Sequence, residues 1–147
     1  MSPARLAARC VELLGSTSEP VAIATSASLR AALADRVRVA GDDEAPASAV
    51  CIFVGEGADP VARRARLAAL AAQLPTGAPV VVVDHNQPRS FWRRAGGVAM
   101  LALRGLPPSR ARYPVAQELQ AQGFVIERMR FYAGERVQLV VGRRAVT

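Results

Sequence analysis

The stretch AVCIFVGEGADPVARRARLAALAAQLPTGAPVVVVD, residues 49–84, decides the fold. It holds two strands, Ala49–Val54 and Val80–Asp84, the first apolar throughout and the second apolar up to its closing Asp84, on either side of a helical pattern. A strand that is apolar at every position, rather than at every second one, is a strand covered on both faces, the condition of a parallel strand between two helical layers. Asp59 as N-cap and Pro60 at the first helical position open the intervening helix, which runs to about Leu74. Val61, Leu67, Leu70 and Leu74 are its expected buried stripe, and Arg63, Arg64 and Arg66 its solvated side. PTGAP turns the chain into the second strand. Strand, helix and strand of these lengths imply parallel pairing through a right-handed crossover.

Upstream, Val21–Thr25 is a short strand after Pro20, and Ser26 and Ser28 are candidate N-caps for a helix over Leu29–Asp35. A second short strand, Val37–Ala40, ends at Gly41 in the acidic turn Asp42-Asp43-Glu44. Before these, Pro3–Leu14 sets Leu6, Cys10, Leu13 and Leu14 on one helical face, and Gly15 stops the helix. Downstream, Gln87–Arg104 reads as a helix with a cationic, aromatic start, and GLPPSR breaks it. Tyr113–Gln122 is a short helix ended by Gly123, and Phe124–Phe131 with Arg136–Val141 form an antiparallel hairpin about Tyr132-Ala133-Gly134-Glu135. The expected architecture is α/β, a mostly parallel sheet closed by a C-terminal antiparallel hairpin, in one domain over residues 1–147.

Composition narrows the function classes. At 147 residues and 51% apolar, the chain can bury a real core but is short for a full cofactor enzyme of this architecture. All nineteen basic residues are Arg, beside abundant Ala, a joint bias that a GC-rich coding sequence produces by itself. The net charge of +7 therefore does not point to nucleic acid, and with 5% aromatics there is no stacking or base-reading motif. Cys10 and Cys51 read as buried free thiols. Arginines scattered through MSPARLAARCVELLG exclude a signal peptide there, and the longest apolar run, Ala95–Leu103, is far below the roughly 20 residues of a bilayer crossing. The expected location is the cytoplasm. One His and two distant Cys supply no metal-ligand set, and Asp42-Asp43-Glu44 reads as a solvated acidic turn.

Together these segments resemble the class I S-adenosylmethionine-dependent methyltransferases. PTGAPVVVVDHNQP stands where small members carry a glycine-containing turn and their fifth strand. YPVAQELQAQGF followed by FVIERMRFYAGERVQLVVGRR is similar to the family's last helix and closing antiparallel pair. Upstream, VRVAGDDEAPASAVCIFVGEGADP resembles the stretch in which a strand ends in Gly-Asp, an acidic-Ala-Pro turn follows and the next strand begins. The resemblance covers roughly Val21–Arg144 and implies a Rossmann-like sheet of reduced strand number.

The departures bear on function. The family's first strand leads into a Gly-x-Gly loop, where absent side chains let the backbone approach the cofactor. Two alignments stand open: VAIAT is that first strand with its loop replaced by Thr25-Ser26-Ala27-Ser28, or it is the second strand and the first is missing. Both order the sheet with Val37 and Val21, then Ala49, then Val80, then the hairpin. In the second alignment the acidic residue that would bond the ribose hydroxyls is replaced by Thr25 or Ser26, which lack the bidentate charge-assisted geometry of a carboxylate. Asp42 is implied near the adenine amino group. By the rule for open parallel sheets, a ligand sits outside the carboxyl ends of the strands ending at Thr25 and Val54, with Thr25, Ser26, Asp42, Gly55, Glu56 and Asp84-His85-Asn86 as the expected rim, a surface that repels phosphates.

Three further features are candidates. His85, the single histidine, is either a general base beside Asp84 or a polar residue of the loop that follows the strand. Gly55-Glu56-Gly57 is a weak dinucleotide-loop signal, with Asp84 as its ribose ligand, because the third glycine is absent. Phe91, Trp92, Arg93 and Arg94 either form a contact surface for an anionic lipid or a protein partner, or open a helix whose Trp92, Val98, Leu101 and Leu103 complete the core. The first expectation is a methyltransferase-like protein with a degenerate cofactor site, a homodimer or the companion of a larger protein that covers the Phe91/Trp92 region. The alternative is a minimal S-adenosylmethionine-dependent enzyme acting on a small-molecule or lipid-like acceptor, with Thr25, Ser26, Asp42 and Gly55 on the cofactor and His85 as base.

Overall fold

The computed structural model describes residues 3–15, 18–54, 60–86, 90–103 and 115–146. In chain order the elements are α1 (Pro3–Leu14), β1 (Val21–Ala24), α2 (Ala27–Ala34), β2 (Ser48–Ile52), α3 (Pro60–Gln73), β3 (Pro79–His85), α4 (Phe91–Leu103), α5 (Val115–Ala121), β4 (Phe124–Tyr132) and β5 (Val137–Arg144). The strands form one sheet in the order β1-β2-β3-β5-β4. β1, β2 and β3 run parallel, in register Val21↔Ser48 and Ala49↔Val80, and β5 pairs antiparallel with both β3 and β4. This is the expected α/β sheet with its closing hairpin.

The continuous apolar runs are explained by burial on both faces. Val81 and Val83 of β3 join Val50 and Ile52 of β2, Leu139 and Val141 of β5, Leu6, Cys10 and Leu14 of α1 and Leu33 of α2 in one core cluster. Val80 and Val82 point the other way, into a second cluster with Ala71 and Leu74 of α3, Val115 and Leu119 of α5 and Val140 of β5. The sheet is thus the middle of three layers, with α1 and α2 on one side and α3 and α5 on the other. Gly15 and Gly123 follow α1 and α5 with φ of +80° and +81°, a left-handed turn that ends a helix at no steric cost to glycine. The hairpin turns through Ala133, Gly134 and Glu135, all at positive φ, and β4 carries a bulge between Ile126 and Arg128.

Four local expectations are corrected. The strand over Val37–Ala40 reduces to a single parallel bridge, Val21↔Val39, because the chain turns away at Gly41 after two backbone bonds to Val21. The helix expected from Leu29 starts at Ala27, so Ser28 lies inside it, and Ser26 is the N-cap residue without a side-chain bond to the helix backbone. In α3 the buried face is turned: Val61 is 67% exposed, whereas Arg63 is 4% exposed. Arg63 is held there by a bidentate pair with Glu118 of α5, Nε to Oε2 at 3.0 Å and Nη2 to Oε1 at 2.5 Å. In α4, Trp92 and Leu103 are 81% and 89% exposed, so they do not complete the core.

Candidate functional site

A cavity of about 590 Å³ opens at the carboxyl ends of β1 and β2, beside α3. β1 lies directly against β2, from Val21↔Ser48 to Ala24↔Cys51, and the chain leaves β1 through Thr25 and Ser26 straight into α2. Both residues line the cavity, together with Cys51, Phe53 and Val54 from the end of β2 and Arg66, Leu67 and Leu70 from α3. The crevice is where the sheet's topology puts it, since the chain proceeds from β1 outward to the Val39 bridge and then crosses to β2 on the other side.

The cavity wall carries two unusual local features. Thr25 Oγ1 is buried without a hydrogen-bond partner. Phe53 has φ of +53°, the left-handed region that a side chain disfavours, while its amide still donates to Val83 O at 2.8 Å. That conformation ends β2 and lays the Phe53 ring on His85, with centroids 4.7 Å apart and planes at 27°. Arg66 reaches back over the end of β2, its Nη1 donating to Val54 O at 3.4 Å. The Cys51 thiol is pushed up to about 12 by burial and, secondarily, by the charge of Asp84, so it faces the cavity neutral.

The other expected rim residues that the structure describes, Asp42, Asp84, His85 and Asn86, do not line this cavity. Asp42 lines a second cavity of about 450 Å³ with Asp43 and Glu44, and among the residues around the two cavities Gln73 borders both. Glu44 accepts from Arg38 Nη2 at 2.6 Å and lies 3.5 Å from Gly41 N. His85 lines neither of these cavities; its backbone amide donates to Asp84 Oδ1 at 2.7 Å and its carbonyl accepts from Gln138 Nε2 at 2.9 Å. Asp84 is 1% exposed near the carboxyl end of β3. Gly55, Glu56 and Gly57 themselves lie outside the described residues, as do Arg89 and the side chains of Phe91 and Arg93; Arg94 is exposed on α4 beside Trp92. Among the described residues no carboxylate lines the larger cavity, and Arg66 is its charged group. Also among the described residues, no group of three or more His, Cys, Asp or Glu is arranged for a metal, and no helix is long and apolar enough to cross a membrane.

Sequence reasoning missed Arg66 and Phe53. Arg66 was readable only as one of three helix-surface arginines, and nothing in a six-residue apolar run announces that its fifth member will turn left-handed.

No protein-family model and no curated protein matches the chain. Solved structures do. An O-methyltransferase family protein from Burkholderia thailandensis superposes with a TM-score of 0.61 at 13% identity, over 97% of this chain and 57% of that one. The magnesium protoporphyrin IX methyltransferase of Synechocystis PCC 6803, solved with bound SAH, gives 0.63 at 13% identity, over 97% and 83%. A candidate methyltransferase from Bacillus halodurans C-125 gives 0.63 at 13% identity, over 95% and 99%. The chain spans little more than half the length of the Burkholderia protein. At such identities the likeness concerns the path of the backbone, and that path is a Rossmann-type, class I S-adenosylmethionine-methyltransferase-like fold.

Proposed function

We propose that this chain is a methyltransferase-like protein with a degenerate S-adenosylmethionine site, one that works through contact with a protein partner rather than by transferring methyl groups itself. The observation that carries this reading is the wall of the larger cavity: two hydroxyl side chains, Thr25 and Ser26, at the turn after β1, and a guanidinium, Arg66, opposite apolar side chains. The cofactor presents a sulfonium, an ammonium and a carboxylate, and its ribose diol is best held by a carboxylate side chain. A cavity whose described lining carries no carboxylate offers no counter-charge to the sulfonium and ammonium and no bidentate acceptor to the diol, and Arg66 matches only the cofactor's own carboxylate. Asp42, implied as the adenine contact, borders the other cavity. These residues do not fit the cofactor, and no methyl-transfer step is drawn through them.

The partner surface of this reading is α4, where Trp92, Ala99 and Leu103 are exposed at helical spacing. Isothermal titration of the full chain with S-adenosylmethionine and S-adenosylhomocysteine is expected to give no saturable heat up to millimolar ligand. Binding in the low micromolar range overturns the reading.

One observation favours a minimal active enzyme instead: the unsatisfied Thr25 hydroxyl stands where the resemblance implies a ribose contact. On that reading Asp42→Ala raises the cofactor's apparent Kd and His85→Ala slows turnover without changing it. On the first reading neither substitution changes a measurable activity.

A further inference from the structure

We infer that the cavity between β1, β2 and α3 binds a small amphiphilic acid, an apolar body carrying one carboxylate. The inference rests on the reading that this cavity does not hold S-adenosylmethionine.

Three residues with hydrogen-bond donors, Thr25, Ser26 and Arg66, line the cavity. A buried hydroxyl without a hydrogen bond costs about 1–3 kcal/mol, and Thr25 Oγ1 is such a group. Arg66 has five N–H donors in a planar fork, and the hydrogen bond it makes is the long one to Val54 O at 3.4 Å. Ser26 sits at the N-cap of α2 without bonding the helix backbone, its Oγ instead 3.5 Å from Ser28 Oγ, and the first turn of α2 contains no acidic residue. The partial positive charge at that helix end is therefore uncompensated by side chains of its own turn. Each of these groups gains from an oxygen anion, and they border one space.

The rest of the wall selects the body of the ligand. Ala24, Phe53, Val54, Leu67 and Leu70 are apolar, and the neutral thiol of Cys51 behaves as a small hydrophobe. A volume of about 590 Å³ lies within the range of small-molecule sites. One guanidinium matches one carboxylate in bidentate geometry, whereas a phosphate dianion asks for further cations or a nest of backbone amides that the described lining residues do not provide. Polarity along the groove is set from its far end. Beyond Gln73, the second cavity carries Asp42, Asp43 and Glu44 against one lining cation, Arg30, an acidic balance that disfavours an anion, so the carboxylate belongs at the Thr25, Ser26 and Arg66 end with the apolar tail along α3.

Titration calorimetry of the full chain with octanoate, n-octanol and octylamine tests this. Octanoate is expected to bind saturably, at least tenfold more tightly than octanol, with octylamine weakest. Arg66→Gln should abolish the preference for octanoate over octanol, while Arg36→Gln, which removes an equal charge from an exposed residue of the turn after α2, leaves it intact. Thr25→Val is expected to weaken octanoate several-fold and also to raise the melting temperature of the unliganded chain, because it removes an unsatisfied hydroxyl. Equal affinity for octanoate and octanol, or equal losses in the Arg66 and Arg36 variants, overturns the inference. Failure of octanoate to saturate, with no S-adenosylmethionine binding either, overturns it while leaving the proposed function standing. Displacement of octanoate by S-adenosylmethionine overturns both.

Discussion

Two thiols show how single residues report the core. Cys10 in α1 and Cys51 in β2 are both buried, and burial pushes each thiol up to about 12 from an ordinary 9.0, with Asp84 adding to the effect at Cys51. In the unfolded chain each thiol ionises near its ordinary value while the folded chain keeps it protonated. The associated stabilisation is therefore complete below pH 9 and is lost as the pH rises toward 12. Urea denaturation midpoints are expected to hold between pH 7 and 8.5 and to fall between pH 9 and 11, with a shallower fall in Cys51→Ala; an unchanged slope in that variant would count against the assignment. Phe53 is the residue whose conformation the sequence concealed. An αL conformation at a side-chain-bearing residue costs of order 1–3 kcal/mol, and here it ends β2, stacks the ring on His85 and forms one wall of the cavity.

At the scale of the element, α3 carries the main lesson. Its apolar residues were legible, and Leu67 and Leu74 are buried as their spacing implies. The N-terminal end of the stripe was not, because Arg63, Leu67, Ala71 and Leu74 share the buried face and an arginine there reads as solvated until a partner is known. The partner comes from fifty-five residues away, Glu118 of α5. A buried ion pair adds little over an apolar pair of similar volume, but breaking it strands a charge. Glu118→Gln or Arg63→Met alone is expected to cost about 3–5 kcal/mol of unfolding free energy, and Arg63→Met with Glu118→Leu to lie within about 1–2 kcal/mol of wild type. Additive losses in the double variant, measured by urea denaturation, would show that the two residues are not coupled as a pair. The strand over Val37–Ala40 failed for the opposite reason: its residues have strand character, but the outer neighbour of β1 has room for one bridge before Gly41 and the acidic turn.

For the whole molecule, charge and exposure gather on one segment. No acidic residue occurs between Asp84 and Glu118, and α4 lies within that interval with Trp92 and Leu103 largely exposed. A short helix with an uncovered apolar stripe is marginal by itself and is stabilised by whatever covers it. Self-association through α4, or its occupation by a partner protein, is the proposed use of that stripe. Trp92→Glu with Leu103→Glu is expected to change stability by under about 0.5 kcal/mol and to shift the chain toward monomer in sedimentation velocity. Indistinguishable sedimentation of the two proteins across concentration removes α4 as a self-contact. The edge strand β4 is a poorer candidate, since Arg128 and Arg130 on it guard against pairing with a second copy.

The order of elements, the two-sided burial of β2 and β3 and the closing hairpin were legible in the sequence alone, because apolar periodicity and turn residues act over a few neighbours in the chain, whereas the strand order came with the family resemblance. What lines the cavity was decided only in three dimensions. Thr25 and Ser26 arrive there because β1 lies on β2, and Arg66 because α3 packs beside them, whereas Asp42 lines the second cavity and His85 stacks on the Phe53 ring. Such meetings join residues distant in sequence, and their energies depend on neighbours that no local pattern encodes.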